Sequence, residues 1–291
     1  MASRNTRDKT LIEITVVGKD REGVVAEITN SIFRNGGNIE QINQKVVHGL
    51  FGMHLEASFN DTVKLNEIHL ELRELSAKLQ MEIKAHVEEP SRKKNVALLV
   101  SKEPHCLSSI LNALQNKEID SNISVIIGSE STLKAIADDF SIPFHSVSYE
   151  NSSANAESKI LEVVEEYNID LIVLARYMRV LTPNFVWRYP NRIINIHPSL
   201  LPAFPGAYAY VQAFERGAKI VGCTAHFVTE ELDQGPIICQ EAFKVVDDDT
   251  LESIKMKGQQ LEAATLLEAV KLFLEDRLDV YWSKVYTLSK S

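Results

Sequence analysis

Five short runs of this chain, Val96–Val100, Ser124–Ile127, Leu171–Leu174, Ile193–Ile196 and Ile220–Phe227, are predominantly apolar. A strand with one face in water alternates apolar and polar residues. A run without that alternation is buried on both faces, as in parallel sheets covered by helices. The early runs are separated by stretches at helical spacing, Leu107–Leu114 and Ile160–Tyr167. Together they predict an α/β domain with a mostly parallel sheet. Right-handed crossovers place the ligand crevice of such a sheet at the carboxyl ends of its strands, so the chemistry is sought in the loops that leave those ends. Leu251–Leu274 reads as a long amphipathic helix packed on the sheet.

The residues before this pattern follow another rhythm. Leu11–Val17 is rich in β-branched residues and ends at the polar turn Gly18–Gly23, which predicts a strand and a turn. Val24, Val25, Ile28 and Ile32 recur at helical spacing, and Asn35-Gly36-Gly37-Asn38 supplies a left-handed stop. Ile39–Val47 and Met53–Phe59 then suit a hairpin; Ile68, Leu72, Leu75 and Leu79 mark a second helix, and Met81, Ile83, Ala85 and Val87 alternate as a last strand. The order βαββαβ predicts a small ferredoxin-like sheet with both helices on one face. Glu88–Lys94 is charged and carries Pro90, so it reads as a linker between domains 1–89 and 90–291. A chain of 291 residues accommodates two domains at roughly 150 residues each.

Charge narrows the partners. Forty acidic residues against thirty-one basic ones give −9, spread over both halves, which argues against a nucleic-acid partner. One stretch reverses the sign: Asp170–Arg192 holds Arg176, Arg179, Arg188 and Arg192 against one aspartate, an island suited to an anionic small molecule. Cys106, Cys223 and Cys239 form neither a CxxC pair nor a disulfide framework, which points to a reducing compartment. The first ten residues hold no apolar signal region, and the apolar runs are strand-sized, so a cytoplasmic protein without a membrane partner is expected.

The densest chemical signal is Asn195-Ile196-His197-Pro198-Ser199-Leu200-Leu201-Pro202, directly after a predicted strand. Residues two apart on a strand face the same side, so Asn195 and His197 converge on one centre. An amide N–H can donate to an oxygen that gains charge, and an imidazole exchanges protons near neutral pH. A third group comes from the polar loop after His226-Phe227-Val228, where the carboxylate of Asp233 can orient an imidazole and position a water. Taken singly, each residue also has a structural reading: His197 as a loop cap, Asn195 as a partner of backbone groups, Asp233 as a turn residue, and His226 as an interior histidine.

In sequence order, the Asn195–Pro202 run, Gly206, His226 and Leu232-Asp233-Gln234-Gly235-Pro236-Ile237-Ile238 resemble the signature of folate-dependent formyltransferases. The resemblance implies a Rossmann-like domain in which Asn195, His197 and Asp233 are the catalytic trio and His226 supports them. It implies that Arg179-Val180-Leu181 border the pterin pocket, that the loop carrying Val228, Thr229 and Glu230 faces it, and that Gly206 adjoins it. Arginines of the island would attract the glutamate tail of the folate, with a solvated surface the equal alternative for Arg188 and Arg192.

The N-terminal pattern, with Asp20-Arg21-Glu22-Gly23 after the first strand and Gly36-Gly37-Asn38-Ile39 after the first helix, resembles an ACT domain. Such modules bind amino acids or pair edge to edge. An ACT module fused to a formyltransferase-like domain is similar to the formyltetrahydrofolate deformylases, which implies a homo-oligomer with glycine or methionine as effector. The alternatives are an amine-dependent formyltransferase of the glycinamide ribonucleotide type and a non-catalytic folate or amino-acid binder. A phosphate-holding loop needs glycines for close approach of backbone N–H groups. Val100-Ser101-Lys102-Glu103-Pro104-His105-Cys106-Leu107 has none and resembles the deformylase segment, which favours hydrolysis of 10-formyltetrahydrofolate to tetrahydrofolate and formate, in support of purine synthesis and one-carbon balance. No cofactor or metal is implied, since the histidines form no HExxH pair and the cysteines no zinc site. One departure stands out. Family members commonly show a Pro-Tyr-His-Gln-like run where this chain reads Tyr208-Ala209-Tyr210-Val211-Gln212, which bears on the acceptor side of the pocket, the helix start or the rate.

Overall fold

The computed structural model describes residues 9–60, 65–87, 92–149, 152–203, 206 and 208–289. The proposed linker residues Glu88–Ser91 and the residues Phe204, Pro205 and Ala207 lie outside the described residues. Two compact units form, one from the described part of Met1–Arg92 together with Thr182–Pro190, the other from Lys93–Leu181 and the described part of Asn191–Ser291.

In the first unit, β1 (Lys9–Lys19), α1 (Val24–Arg34), β2 (Asn38–Val47), β3 (Leu50–Asn60), α2 (Leu65–Leu79) and β4 (Glu82–Val87) make an antiparallel sheet in the order β2-β3-β1-β4. This is the ferredoxin-like βαββαβ arrangement the sequence predicts. Ile12, Ile14 and Val16 alternate along β1, and Met53, Leu55 and Ala57 share one core with Ile28 and Ile32 of α1 and Leu72 and Leu75 of α2. Both helices therefore cover the same sheet face. At the end of α1 the N–H groups of Gly36 and Gly37 donate to the Phe33 and Ile32 carbonyls, with Gly36 at φ +71°. Only a residue without Cβ adopts that conformation at no steric cost. His48 and Gly49, both at positive φ, close the two-residue hairpin between β2 and β3.

The second unit begins with β5 (Asn95–Val100), α3 (His105–Gln115), β6 (Asn122–Gly128), α4 (Lys134–Asp139), β7 (Phe144–Ser146), α5 (Ser153–Glu166) and β8 (Leu171–Ala175). The short α6 (Pro183–Val186) falls in the first unit, where the Trp187 ring lies over Gly52; a Cβ on Gly52 would sit 2.2 Å from it. Then follow β9 (Ile193–His197), α7 (Ala209–Glu215), β10 (Ile220–Phe227), β11 (Ile237–Lys244), α8 (Leu251–Leu274) and the hairpin strands β12 (Leu278–Tyr281) and β13 (Lys284–Thr287).

Its sheet has the order β11-β10-β9-β8-β5-β6-β7. The strands from β9 to β7 are parallel, while β10 and β11 run antiparallel at the edge. The apolar run Ile220–Phe227 thus joins the sheet in the direction opposite to the other four. An apolar run reports that both faces are covered, and says nothing of direction; here Leu266, Ala269 and Val270 of α8 share a core with Cys223, Ala225 and Phe227 of β10. The helix spans the residues its periodicity marks, started by a capping box in which Thr250 Oγ1 accepts from the Ser253 N–H and Ser253 Oγ from the Thr250 N–H.

Candidate active site

Asn195 and His197 lie at the carboxyl end of β9, where their alternation with Ile194 and Ile196 turns both toward the same side. Across the ladder, His226 of β10 pairs with Asn195, and Thr224 with His197. A bulge between Ala225 and His226 on the β11 side marks this point of the ladder, as bulges beside functional sites do. Thr224, fully buried, receives the Leu201 N–H and the Gln240 side chain and donates to the Ser199 carbonyl, which ties the loop after β9 to the sheet.

The hydrogen bonds settle the His226 ring. Its Nδ1 lies 2.8 Å from the Phe227 carbonyl oxygen, which can only accept, so Nδ1 carries the proton. Its Nε2 lies 3.2 Å from the Asn195 side-chain nitrogen, which then donates to it. Burial pushes the His226 pKa below the ordinary imidazole value, against the Phe227 carbonyl and the Asp233 carboxylate, which raise it. The ring is a neutral brace on Asn195.

Asp233 arrives from the loop between β10 and β11. Its Oδ2 stands 3.3 Å from His197 Nδ1 and accepts from the Gly206 N–H at 3.1 Å, and its Oδ1 is 3.9 Å from His226 Nε2. Its backbone is left-handed, at φ +57°. The loop doubles back so closely that a Cβ on Gly235 would meet the Phe227 carbonyl oxygen at 1.7 Å. Glycine at this point is what lets the carboxylate reach β9.

These groups line a cavity of about 330 Å³. Arg179, Val180, Leu181, Gly206, Val228, Thr229 and Glu230, the residues expected around a folate, line it too. The Arg179–Leu181 segment is held from below, since Ser101 Oγ at the end of β5 accepts from the Met178 N–H at 3.0 Å. Tyr177, another wall residue, shares a 2.6 Å hydroxyl contact with Tyr149, whose ring carries the Arg179 guanidinium 4.9 Å above its centre.

The arginine island does not act as one patch. Arg188 pairs with Glu82 at 2.8 Å within the first unit. Arg176 is paired with Glu262, a carboxylate with no exposed surface. Burial of Glu262 favours its neutral form, but the His105 hydrogen bond, the Arg176 charge and the Tyr210 hydroxyl outweigh it and hold the carboxyl below its ordinary range. Local charge counting missed this because the partner lies on α8, far along the chain. A signal did exist: Glu262 falls on the buried stripe of α8, four residues from both Gly258 and Leu266.

Among the described residues, two groups offer three metal-ligating side chains within reach of one another: His105, Cys106 and Glu262, and Glu13, His54 and Glu56. In the first, Glu262 is already engaged by His105, Arg176 and Tyr210, and burial with the nearby Glu262 charge pushes the Cys106 thiol well above its usual pKa. The second belongs to the sheet of the first unit.

Comparison with known proteins matches two successive parts of the chain. The Formyl transferase family model matches residues 94–270, and the ACT domain model matches residues 10–86. The class is thus an ACT domain fused to a formyl transferase domain. The chain is 41% identical over 275 residues to a formyltetrahydrofolate deformylase of Haemophilus influenzae, covering 92% of this chain and 96% of that one. The crystal structure of a formyltetrahydrofolate deformylase from Pseudomonas syringae superposes with a TM-score of 0.68 at 30% identity, covering 98% and 96% of the two chains. A glycinamide ribonucleotide transformylase from Symbiobacterium toebii matches 70% of this chain and 97% of its own, with a TM-score of 0.66 at 33% identity. This chain belongs to the formyltetrahydrofolate deformylase family. Among the described residues, no helix is long and apolar enough to cross a membrane.

Proposed function

We propose that the cavity hydrolyses 10-formyltetrahydrofolate to tetrahydrofolate and formate, with Asn195, His197 and Asp233 as the catalytic residues. The observation that carries this reading is the meeting of the three side chains at one cavity wall, with His226 holding the Asn195 amide. One Asn195 N–H is engaged by His226; the amide's second N–H can donate to the formyl oxygen as it becomes an oxyanion. Asp233 orients the His197 ring and stabilises its protonated form. Water adds to the formyl carbon, its proton passing to the His197–Asp233 pair. The bond from the carbon to N10 then breaks as a proton returns to N10, and formate leaves. The substrate's ring system lies between Arg179–Leu181 and Val228–Glu230, with its anionic tail toward the Arg179 side of the mouth. The side chains supply every proton transfer, so the reaction needs neither metal nor cofactor.

The ACT unit is assigned reversible binding of glycine or methionine and self-association through its edge. In support, its edge strand β2 is largely exposed. The enzyme is placed in the cytoplasm, serving purine synthesis and one-carbon balance. The deciding experiment supplies purified protein with 10-formyltetrahydrofolate and no amine and follows formate. Release under these conditions is expected; formate that stays absent while an added amine becomes formylated would make the protein a transferase.

A further inference from the structure

Strands β5 and β8 are neighbours and parallel, yet the chain travels outward from β5 to β6 and β7 and returns through β8 to β9 on the other side. Their carboxyl ends therefore mark the topological switch point, the crevice where open α/β sheets take ligands. In this chain a single carboxylate oxygen spans it. Glu262 Oε2 stands 3.2 Å from Nε2 of His105, which opens α3 after β5, and 3.3 Å from Nε of Arg176, the first residue after β8. The other oxygen, Oε1, accepts from the Tyr210 hydroxyl of α7 at 2.5 Å. Gly258, one turn before Glu262, makes room for that ring, since a Cβ there would lie 2.3 Å from it.

The arrangement is costly. Arg176 takes φ +61°, a left-handed conformation that penalises a residue with a Cβ. The Glu262 carboxylate is wholly withdrawn from water and the Arg176 guanidinium largely so, and apolar residues of like volume commonly serve stability as well or better. The Arg176 Nε contact is a close ion pair rather than an aligned hydrogen bond. Backbone strain on Arg176 and the buried charge of its partner thus coincide at a switch point, and Arg176 also walls the cavity holding Asn195 and His197.

We propose that Arg176, held in place by Glu262, plugs the acceptor side of the cavity and determines specificity by excluding amine-bearing second substrates, so that water is the acceptor that reaches the formyl carbon. The proposal rests on the hydrolytic reading above. Arg176 is the specificity-determining residue, and Glu262 is a positioning residue that acts through it. With the plug removed, a small primary amine can add to the formyl carbon. The carbon–N10 bond breaks, one amine proton ends on N10, and the products are an N-formyl amine and tetrahydrofolate.

The test compares the wild-type protein, Arg176→Gly and the double variant Arg176→Gly/Glu262→Gln, supplied with 10-formyltetrahydrofolate and increasing glycinamide. Formate and N-formylglycinamide are both measured, and a thermal melt is recorded for each protein. Glycine suits the left-handed backbone, and the double variant leaves no buried carboxylate without its cation, so a folded protein is available even if the single variant is lost. Wild type should give formate at every amine concentration with N-formylglycinamide no higher than in a protein-free control, and the variants should raise the ratio of N-formylglycinamide to formate on the order of tenfold or more above that background. A folded variant with the wild-type ratio overturns the proposal. So does a folded variant that loses formate release and gains no N-formyl product, since Arg176 would then serve the chemistry itself. N-formylglycinamide made by wild type would overturn the plug while leaving hydrolysis intact, and wild type that releases no formate without amine would instead sink the hydrolytic reading.

Discussion

His197 and Asp233 stand 3.3 Å apart, nitrogen to oxygen, although one ends a central strand and the other rides on an irregular loop. The carboxylate keeps that position through three local devices: the left-handed backbone of Asp233, the N–H of Gly206, and the close approach of Gly235 to the Phe227 carbonyl. Both side chains are almost wholly buried, which strengthens the interaction between them beyond its value in water.

Asp233→Asn separates charge from shape, because asparagine tolerates the left-handed region as well as aspartate does. Formate release should fall by about 10²–10⁴-fold, the usual worth of acid–base assistance, with an unchanged melting temperature. Asn195→Ala should cost about 10²–10³-fold through the lost oxyanion donor. Turnover close to wild type in the Asp233 variant would remove that residue from the mechanism.

His226 should make stability sensitive to pH. Burial keeps its folded pKa below the ordinary value of 6.5. As pH falls through 6.5, the unfolded chain takes up a proton that the folded ring refuses, so stability declines with falling pH until the depressed folded value is reached. The groups facing the ring, Asn195, Asp233 and His197, stay in place in His226→Gln. Urea unfolding of both proteins across this range should show a shallower decline in the variant; parallel curves would assign the pH dependence elsewhere.

Gly258→Ala sets two effects against each other. Alanine favours a helix interior over glycine by about 1 kcal/mol. The new Cβ, however, would meet the Tyr210 ring 2.3 Å away, inside a network anchored on Glu262. Overpacking typically costs about 1–3 kcal/mol. A net loss of stability on denaturant unfolding is expected, and a more stable variant would show that Tyr210 is free to move aside.

For the ACT unit, titration calorimetry with glycine and with methionine should give a saturable heat with at least one of them, and sedimentation should show a species larger than one chain. If neither amino acid binds but the chain still associates, the unit serves assembly alone.

Much of this was legible in local pattern. The order βαββαβ, the stop at Asn35–Asn38 and the bounds of α8 follow from periodicity and turn chemistry within a few residues of each other. The shared orientation of Asn195 and His197 follows from the period of a strand. Resemblance supplied the pairing with Asp233, which spacing alone leaves open. The reversed direction of β10, the brace of His226 on Asn195 and the division of the arginine island were not legible, because each depends on a partner brought in from elsewhere in the chain. By itself, then, the sequence determined which segments are strands and helices and which polar side chains share a face, since these properties are periodic and local. Only the tertiary structure decided which charges meet. Arg176 reads as one cation of an island in the sequence and becomes the partner of a buried carboxylate once α8 lies against the sheet, because withdrawal of Glu262 from water makes a nearby opposite charge indispensable.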